Sequence, residues 1–245
     1  MDKQAFEQHL LEEHGQTKFA QYLKEFIYGG NDGIVTTFAV VAGFSGANIG
    51  AGALNFSLVS VLLFGLANLV ADGAAMGLGN LLSIRSHKKV YANAVDKELH
   101  EIKHSYDYEI AETEFILKEQ GFSKEDSTQI TALFSKNPKF WSGFMVQHEL
   151  ELSNPEHDNE YLSGLATFAA FVFFGFFPLI PYFFSGPNET LFLNSIFCSL
   201  FAFFLLALLR TFLAKERFLQ CLFEVVIIGS VAASFAYFVG MFFKV

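Results

Sequence analysis

The sequence predicts an all-α integral membrane protein: five transmembrane helices, with a cytosolic three-helix domain inserted between the second and the third. Three observations carry this. The 245 residues are 52% hydrophobic, 32 of them phenylalanine, whereas an ordinary soluble domain is ~45–50% apolar even with glycine counted. Five stretches approach the ~20 mostly apolar residues that a helix needs to cross a bilayer core. Finally, 15 of the 25 acids lie in residues 89–160, against 7 lysines or arginines there, so most of the net charge of −9 sits in one block.

Residues 1–25 are polar and acidic, without the apolar core region or cleavage site of a signal peptide. Phe6, Leu10, Phe19 and Leu23 fall at helical spacing, which predicts a cytosolic amphipathic lead-in helix. Residues 26–88 then hold transmembrane helices 1 and 2, with spans at about 26–49 and 53–83. The first is glycine-rich and the least apolar. Residues 89–158 form the inserted domain. Residues 159–245 hold helices 3 to 5, with spans at about 161–184, 190–212 and 218–243. SIRSHKK follows the second span, and SGPNE separates the third from the fourth.

Orientation follows from the basic residues of the short loops. Lys18 and Lys24 precede the first span, Arg85, Lys88 and Lys89 follow the second, and Arg210, Lys215 and Arg217 lie between the fourth and fifth. The other two loops have none. The N-terminus and the acidic block are therefore expected in the cytosol. Cys198 and Cys221 lie far apart in apolar spans, read as packing residues, and no Cys-x-x-Cys motif exists.

The second span contains LANLVADGAAMGLGN, with Asn68, Asp72 and Met76 at i, i+4 and i+8, one stripe on a helix. A carboxylate at membrane depth costs several kcal/mol unless it faces a partner or a wet path. Gly73 and Gly77 form a small-xxx-small step that lets another helix approach, from a second subunit or from the same one. The first span carries Asp32 among Gly29, Gly30 and Gly33. Two acids on adjacent helices point to a cation path. Glu224, near the cytosolic end of the fifth span, is a weaker case that Arg217 or lipid headgroups would satisfy.

In the acidic block Glu98, Glu101, Glu109 and Glu112 fall at i, i+3, i+11 and i+14. On one unbroken helix they would share an arc of ~80° but spread over ~21 Å. No single ion spans that, since ligand oxygens must lie ~2.0–2.6 Å from it. If the glutamates share ions, the chain must break between Glu101 and Glu109, and HSYD (104–107) is the expected place. PKFWSGFMVQHELEL adds Met145 and Glu149 at i, i+4. The alternative is a solvated helical face with ordinary ion pairs, such as Glu114 with Lys118.

Other site chemistries fail on spacing. Glu101-Ile-Lys-His104 is a Glu-x-x-His step, but a di-iron bundle needs two such steps. His148-Glu149 opens like a zinc-protease motif, yet Leu152 stands where the second histidine belongs. No phosphate loop or nucleophile elbow is present, so no enzyme is expected, and the negative charge of the block argues against nucleic acid.

YGGNDGIVTTFAVVAGFSGA, ADGAAMGLGNLLSIRS, the glutamates of 98–112, FMVQHELEL and PLIPYFF together resemble the vacuolar iron transporter family, from about residue 20 to the end. The resemblance implies five spans, a cytosolic metal-binding domain after the second, and a homodimer whose ion path runs between the first and second spans of the two subunits. It also implies export of Fe²⁺, often Mn²⁺ as well, from the cytosol in exchange for protons. Asp32 matches the family's first-span aspartate and Met76 its second-span methionine. Glu98, Glu101, Glu109, Glu112, Met145 and Glu149 match its cytosolic metal ligands. Plant-type members carry a glutamate where this chain has Asn68, and Asp72 one turn on is expected to take that role.

The ligand chemistry fits. Carboxylates suit hard or borderline divalent ions, and a thioether disfavours Mg²⁺ and Ca²⁺. Fe²⁺, Mn²⁺ or Zn²⁺ is expected as bound substrate, with no prosthetic group. Asp32 and Asp72 would move protons the other way. The expected function is a proton-coupled divalent-metal exporter, in a bacterial inner membrane or alternatively a vacuolar or other endomembrane. The alternatives are a membrane-bound ferroxidase and a metal-sensing membrane protein without transport.

Overall fold

A computed structural model describes residues 20–47, 58–156, 158–184 and 190–243. Among them every regular element is helical, with nine α-helices: α1 Leu23–Ala47, α2 Leu58–His104, α3 Tyr106–Glu119, α4 Lys124–Phe134, α5 Pro138–His148, α6 Glu160–Gly175, α7 Ile180–Phe184, α8 Leu191–Ala214 and α9 Phe218–Phe242. The chain divides into two units, one of Met1–Leu81 with Tyr161–Val245, the other Leu82–Glu160. Phe6, Leu10 and Phe19 of the expected lead-in helix lie outside the described residues; Leu23 starts α1.

Four stretches are long and apolar enough to cross a membrane: α2, Glu160–Phe184 (α6 through α7), α8 and α9. The fifth span expected at 26–49 is not among them. At 25 residues α1 is long enough, but Lys24, Glu25, Asn31, Asp32 and five glycines dilute its apolar content. Its burial is nevertheless that of a central helix. Ile34 and Val41 are fully buried, and α1 packs along α8 and α9. Backbone contact does this: a Cβ at Gly33 would strike the carbonyl of Phe171 in α6, and one at Gly240 of α9 would strike the carbonyl of Gly43.

Ile34, Phe174, Phe203, Leu206 and Val225 make one core of this unit; Phe38, Val41, Val61, Leu179 and Tyr182 make a second. The third apolar stretch is broken at PLIP, where Phe177–Leu179 is a 3-10 turn. Proline supplies no N–H, so carbonyls near it lose their helical partners. Ser195 Oγ of α8 donates to Pro178 O at 2.7 Å, satisfying one of them inside the bundle. Glu224 accepts from Arg210 Nη1 at 3.0 Å, not from the expected Arg217, because Arg210 faces it across the turn between α8 and α9.

The Gly73–Gly77 step faces its own chain. A Cβ at Gly73 would sit 3.2 Å from the ring of Phe171, and one at Gly77 2.7 Å from Gly164 O, both on α6. Of the two partners that the spacing allowed, the helix of the same chain is the one found. One side of α2 is bare: Leu63, Phe64, Val70, Leu78 and Leu82 are all more than half exposed.

In the Leu82–Glu160 unit the local sequence sets each boundary. Gly121 takes φ +97° after α3, and Phe122 N–H bonds Leu117 O while Gly121 N–H bonds Lys118 O. Glycine tolerates that left-handed turn, and the paired bonds satisfy the last carbonyls. Ser123 Oγ caps α4 by accepting from Asp126 N–H at 3.1 Å. Asn137 Oδ1 caps α5 at Phe140 N–H, with Pro138 in the first turn where its missing N–H costs nothing. Trp141 and Met145 are fully buried and, with Ile102, form the core. Lys88 Nζ and Glu160 Oε2, near the two ends of the segment, pair at 2.6 Å.

Candidate metal centre and membrane path

The apolar second span runs without a stop into the polar segment, so α2 continues to His104. Ser105 then leaves helical geometry (φ −131°, ψ 37°) and α3 starts at Tyr106. The break falls inside HSYD. It brings carboxylate oxygens of Glu98, Glu101 and Glu109 within 4.8 Å of one another. A common ion at 2.0–2.6 Å from each ligand allows oxygens up to about 5 Å apart, so the spacing fits one divalent cation.

Burial makes the cluster demanding. Glu98 is 1% and Glu109 2% exposed. Neither oxygen of Glu98, nor Oε2 of Glu109, has a hydrogen-bond partner. A buried unpaired carboxylate is costly, and a proton or a cation relieves it. Burial, then the charges of Glu149, Glu109 and Glu101, pushes the Glu98 carboxyl up to about 7. Burial, then Glu112, Glu149 and Glu101, does the same to Glu109, also to about 7. Glu149 is raised by burial and by Glu112 and Glu101. Thus five glutamates act on one another, and the nearby cation is Lys97, with Nζ 3.4 Å from Glu101 Oε1.

Met145 joins through a residue that the sequence reading missed. Thr113 Oγ1 lies 3.2 Å from Met145 Sδ and 2.7 Å from Glu109 O, so its single proton serves these two acceptors. It accepts in turn from Trp141 Nε1 at 2.7 Å. Thr113 stands four residues after Glu109, on the same helix face, and that spacing was the available signal. The ion pair of the alternative reading also exists: Lys118 Nζ and Glu114 Oε2 are 3.2 Å apart. Its glutamate lies outside the cluster. His104 stacks on His100 with its Nδ1 on His100 O, and is not part of the three-carboxylate group.

The membrane residues gather along α1 and α2. A groove of ≈ 1030 Å³ is lined by Thr36 and Gly43 of α1, by Asn68 and Asp72 of α2, and by Gly240 of α9. Asp32 lies within electrostatic range of Asp72, and its carbonyl accepts from Thr36 Oγ1 at 2.8 Å. Asp32 and Met76 are half-buried and do not line the groove. Asn80 continues the Asn68, Asp72, Met76 stripe by one more turn; its Nδ2 donates to Thr167 Oγ1 of α6 at 2.9 Å. The same i+4 spacing would have found it.

The family model described as the VIT family matches residues 23–241. "Vacuolar iron transporter 1" of Arabidopsis thaliana is 31% identical over 94% of this chain and 90% of its own length. "Vacuolar iron transporter 2" of Oryza sativa subsp. japonica is 30% identical over 93% of this chain and 91% of its own. "Vacuolar iron transporter" of Plasmodium berghei (strain Anka) is 28% identical over 96% and 88%. With a family model covering nearly all of its length and relatives of this similarity end to end, the chain belongs to the VIT family.

Proposed function

We propose that the chain exports Fe²⁺, and Mn²⁺ as well, from the cytosol by proton antiport, with α1 serving as a fifth span. One observation carries the reading most directly. Glu98, Glu101 and Glu109 bring oxygens within 4.8 Å, and buried oxygens of Glu98 and Glu109 have no donor. Such a cluster holds either protons or a divalent ion, and exchanges one for the other near neutral pH. Glu112, Met145 and Glu149 complete the ligand set, the thioether favouring iron and manganese over magnesium and calcium.

Asp32, Asn68, Asp72 and Met76 line the route through the membrane, and the two aspartates return protons. The groove beside Asp72 is open, and an acid facing lipid is too costly to leave uncovered. A second copy, meeting this one along the bare side of α2, covers it; the functional unit is a homodimer. The test is flux into liposomes under anaerobic conditions. Inward movement of Fe²⁺ coupled to outward movement of protons supports the reading. Oxygen consumption without Fe²⁺ movement supports a ferroxidase instead.

A further inference from the structure

We propose that His100 and His104 form a second metal site on the polar unit, at its surface and apart from the glutamate cluster, for a divalent ion that prefers nitrogen ligands, of the Zn²⁺ class. The segment reads His100-Glu101-Ile102-Lys103-His104. That is the His-Glu-x-x-His spacing by which a helix offers two imidazoles on one face to a zinc ion.

The local geometry suits an ion. Helix α2 runs to His104, so both histidines lie in its last turns, and both are exposed. Their rings stack with centroids 4.0 Å apart and planes 19° from parallel. Two nitrogens that share one Zn²⁺, each at about 2.0–2.1 Å, lie up to about 4.2 Å apart, which is the scale of this stack. One tautomer is set as well. His104 Nδ1 lies 2.8 Å from His100 O. A carbonyl only accepts, so Nδ1 of the neutral ring carries the proton and Nε2 the lone pair. A ligating histidine donates its other ring N–H to a carbonyl or carboxylate in just this way.

The pair stands beside the cluster, not in it. At 100° per residue Glu101 lies about 60° round the helix from His104 and about 100° from His100. Lys97, the nearby cation, is engaged with Glu101. Among the described residues, Glu98, Glu101 and Glu109 are the only three such ligands that close on one another, so no third side chain joins the imidazoles. The catalytic form of the motif uses three protein ligands. With two, the pair holds and releases an ion. Its chemistry also differs from that of the cluster. Imidazole suits Zn²⁺, Cu²⁺ and Ni²⁺, while carboxylates suit Mn²⁺, which stands lowest in affinity for nitrogen sites. An ion of the Zn²⁺ class is thus held at the surface, and Mn²⁺ passes to the buried carboxylates. Ser105, where the chain breaks before α3, follows His104 directly. An ion across the pair therefore ties down the turn that leads into the break.

The test labels the full chain in detergent with diethyl pyrocarbonate and reads each histidine by mass spectrometry. Zn²⁺ should protect His100 and His104 together, at a concentration at which Mn²⁺ protects neither. His100→Ala should raise the Zn²⁺ needed to protect His104 about tenfold or more, as loss of a ligand or its support does. Glu98→Gln with Glu109→Gln, which disarms the cluster, should leave the pair protected. Zn²⁺ should also slow amide exchange at 104–106 in the parent and not in His100→Ala. Helical content checks folding, and Glu98→Gln alone replaces the double variant if that one unfolds. Labelling of both histidines that is indifferent to Zn²⁺ overturns the proposal. So does protection of His104 that survives His100→Ala unchanged, or protection of the pair that disappears with the glutamate changes, which assigns it to the cluster.

Discussion

Thr113 Oγ1 lies 3.2 Å from Met145 Sδ and accepts from Trp141 Nε1 at 2.7 Å, so one hydroxyl ties the buried thioether to the core of the polar unit. Thr113→Val keeps the shape and removes the acceptor, leaving a buried indole N–H unsatisfied. A cost of about 1–3 kcal/mol in stability is expected. With Met145 no longer held, affinity for Fe²⁺ or Mn²⁺ should fall about tenfold. Thermal unfolding and calorimetric titration check both. A variant as stable as the parent, binding metal as tightly, would show the hydroxyl to be idle.

The glutamate cluster should make stability fall as pH rises. Glu98 and Glu109 have their carboxyls at about 7 in the folded chain, against an unfolded value near 4.3. Between those values the native state binds more protons than the unfolded one. Stability is therefore highest below the unfolded value and declines through about pH 7. With saturating Mn²⁺ the slope should reverse, since the metal binds the deprotonated cluster of the native state. Melting temperatures from pH 5 to 8, with and without Mn²⁺, test this. Parallel curves would contradict it.

Glu101→Ala with Glu112→Ala should weaken metal binding in the full chain and leave the spans intact. Helical content and detergent elution should match the parent, while the Mn²⁺ titration loses affinity by an order of magnitude or more, about what losing supporting ligands costs. Equal titrations would make these glutamates a solvated face.

The bare side of α2 should meet its counterpart in a second copy. Cysteine placed at Val70 or Leu78, each more than half exposed, should crosslink between chains in the membrane. Gly73→Leu acts differently: it pushes α6 away within one chain and should lower stability before it affects association. A parent that is monomeric at all concentrations yet active would contradict the dimer.

Much of this was legible in the sequence where a physical limit left few choices. A bilayer demands long apolar runs, so α2, α6 through α7, α8 and α9 could be read directly. An ion needs its ligands within a few ångströms, so Glu98 and Glu109 required a chain break, and Ser105 supplies it. What stayed hidden depends on neighbours distant in sequence. Nothing local says that Gly73 and Gly77 pack on α6, or that Glu224 pairs with Arg210. The central burial of α1 comes from glycine contacts with α6 and α9, which hydropathy does not register. Thr113 and Asn80 were visible in the i+4 spacing, but their partners, Met145, Trp141 and Thr167, belong to other helices.

The central claim, that ions cross the membrane past Asp32 and Asp72, is tested most directly by anaerobic Fe²⁺ flux in liposomes with an imposed pH gradient. The account predicts that the parent moves Fe²⁺ against outward proton flow, and that Asp32→Asn, folded and inserted like the parent, moves none. Parent-level flux in Asp32→Asn, or flux in the parent indifferent to the pH gradient, would contradict it.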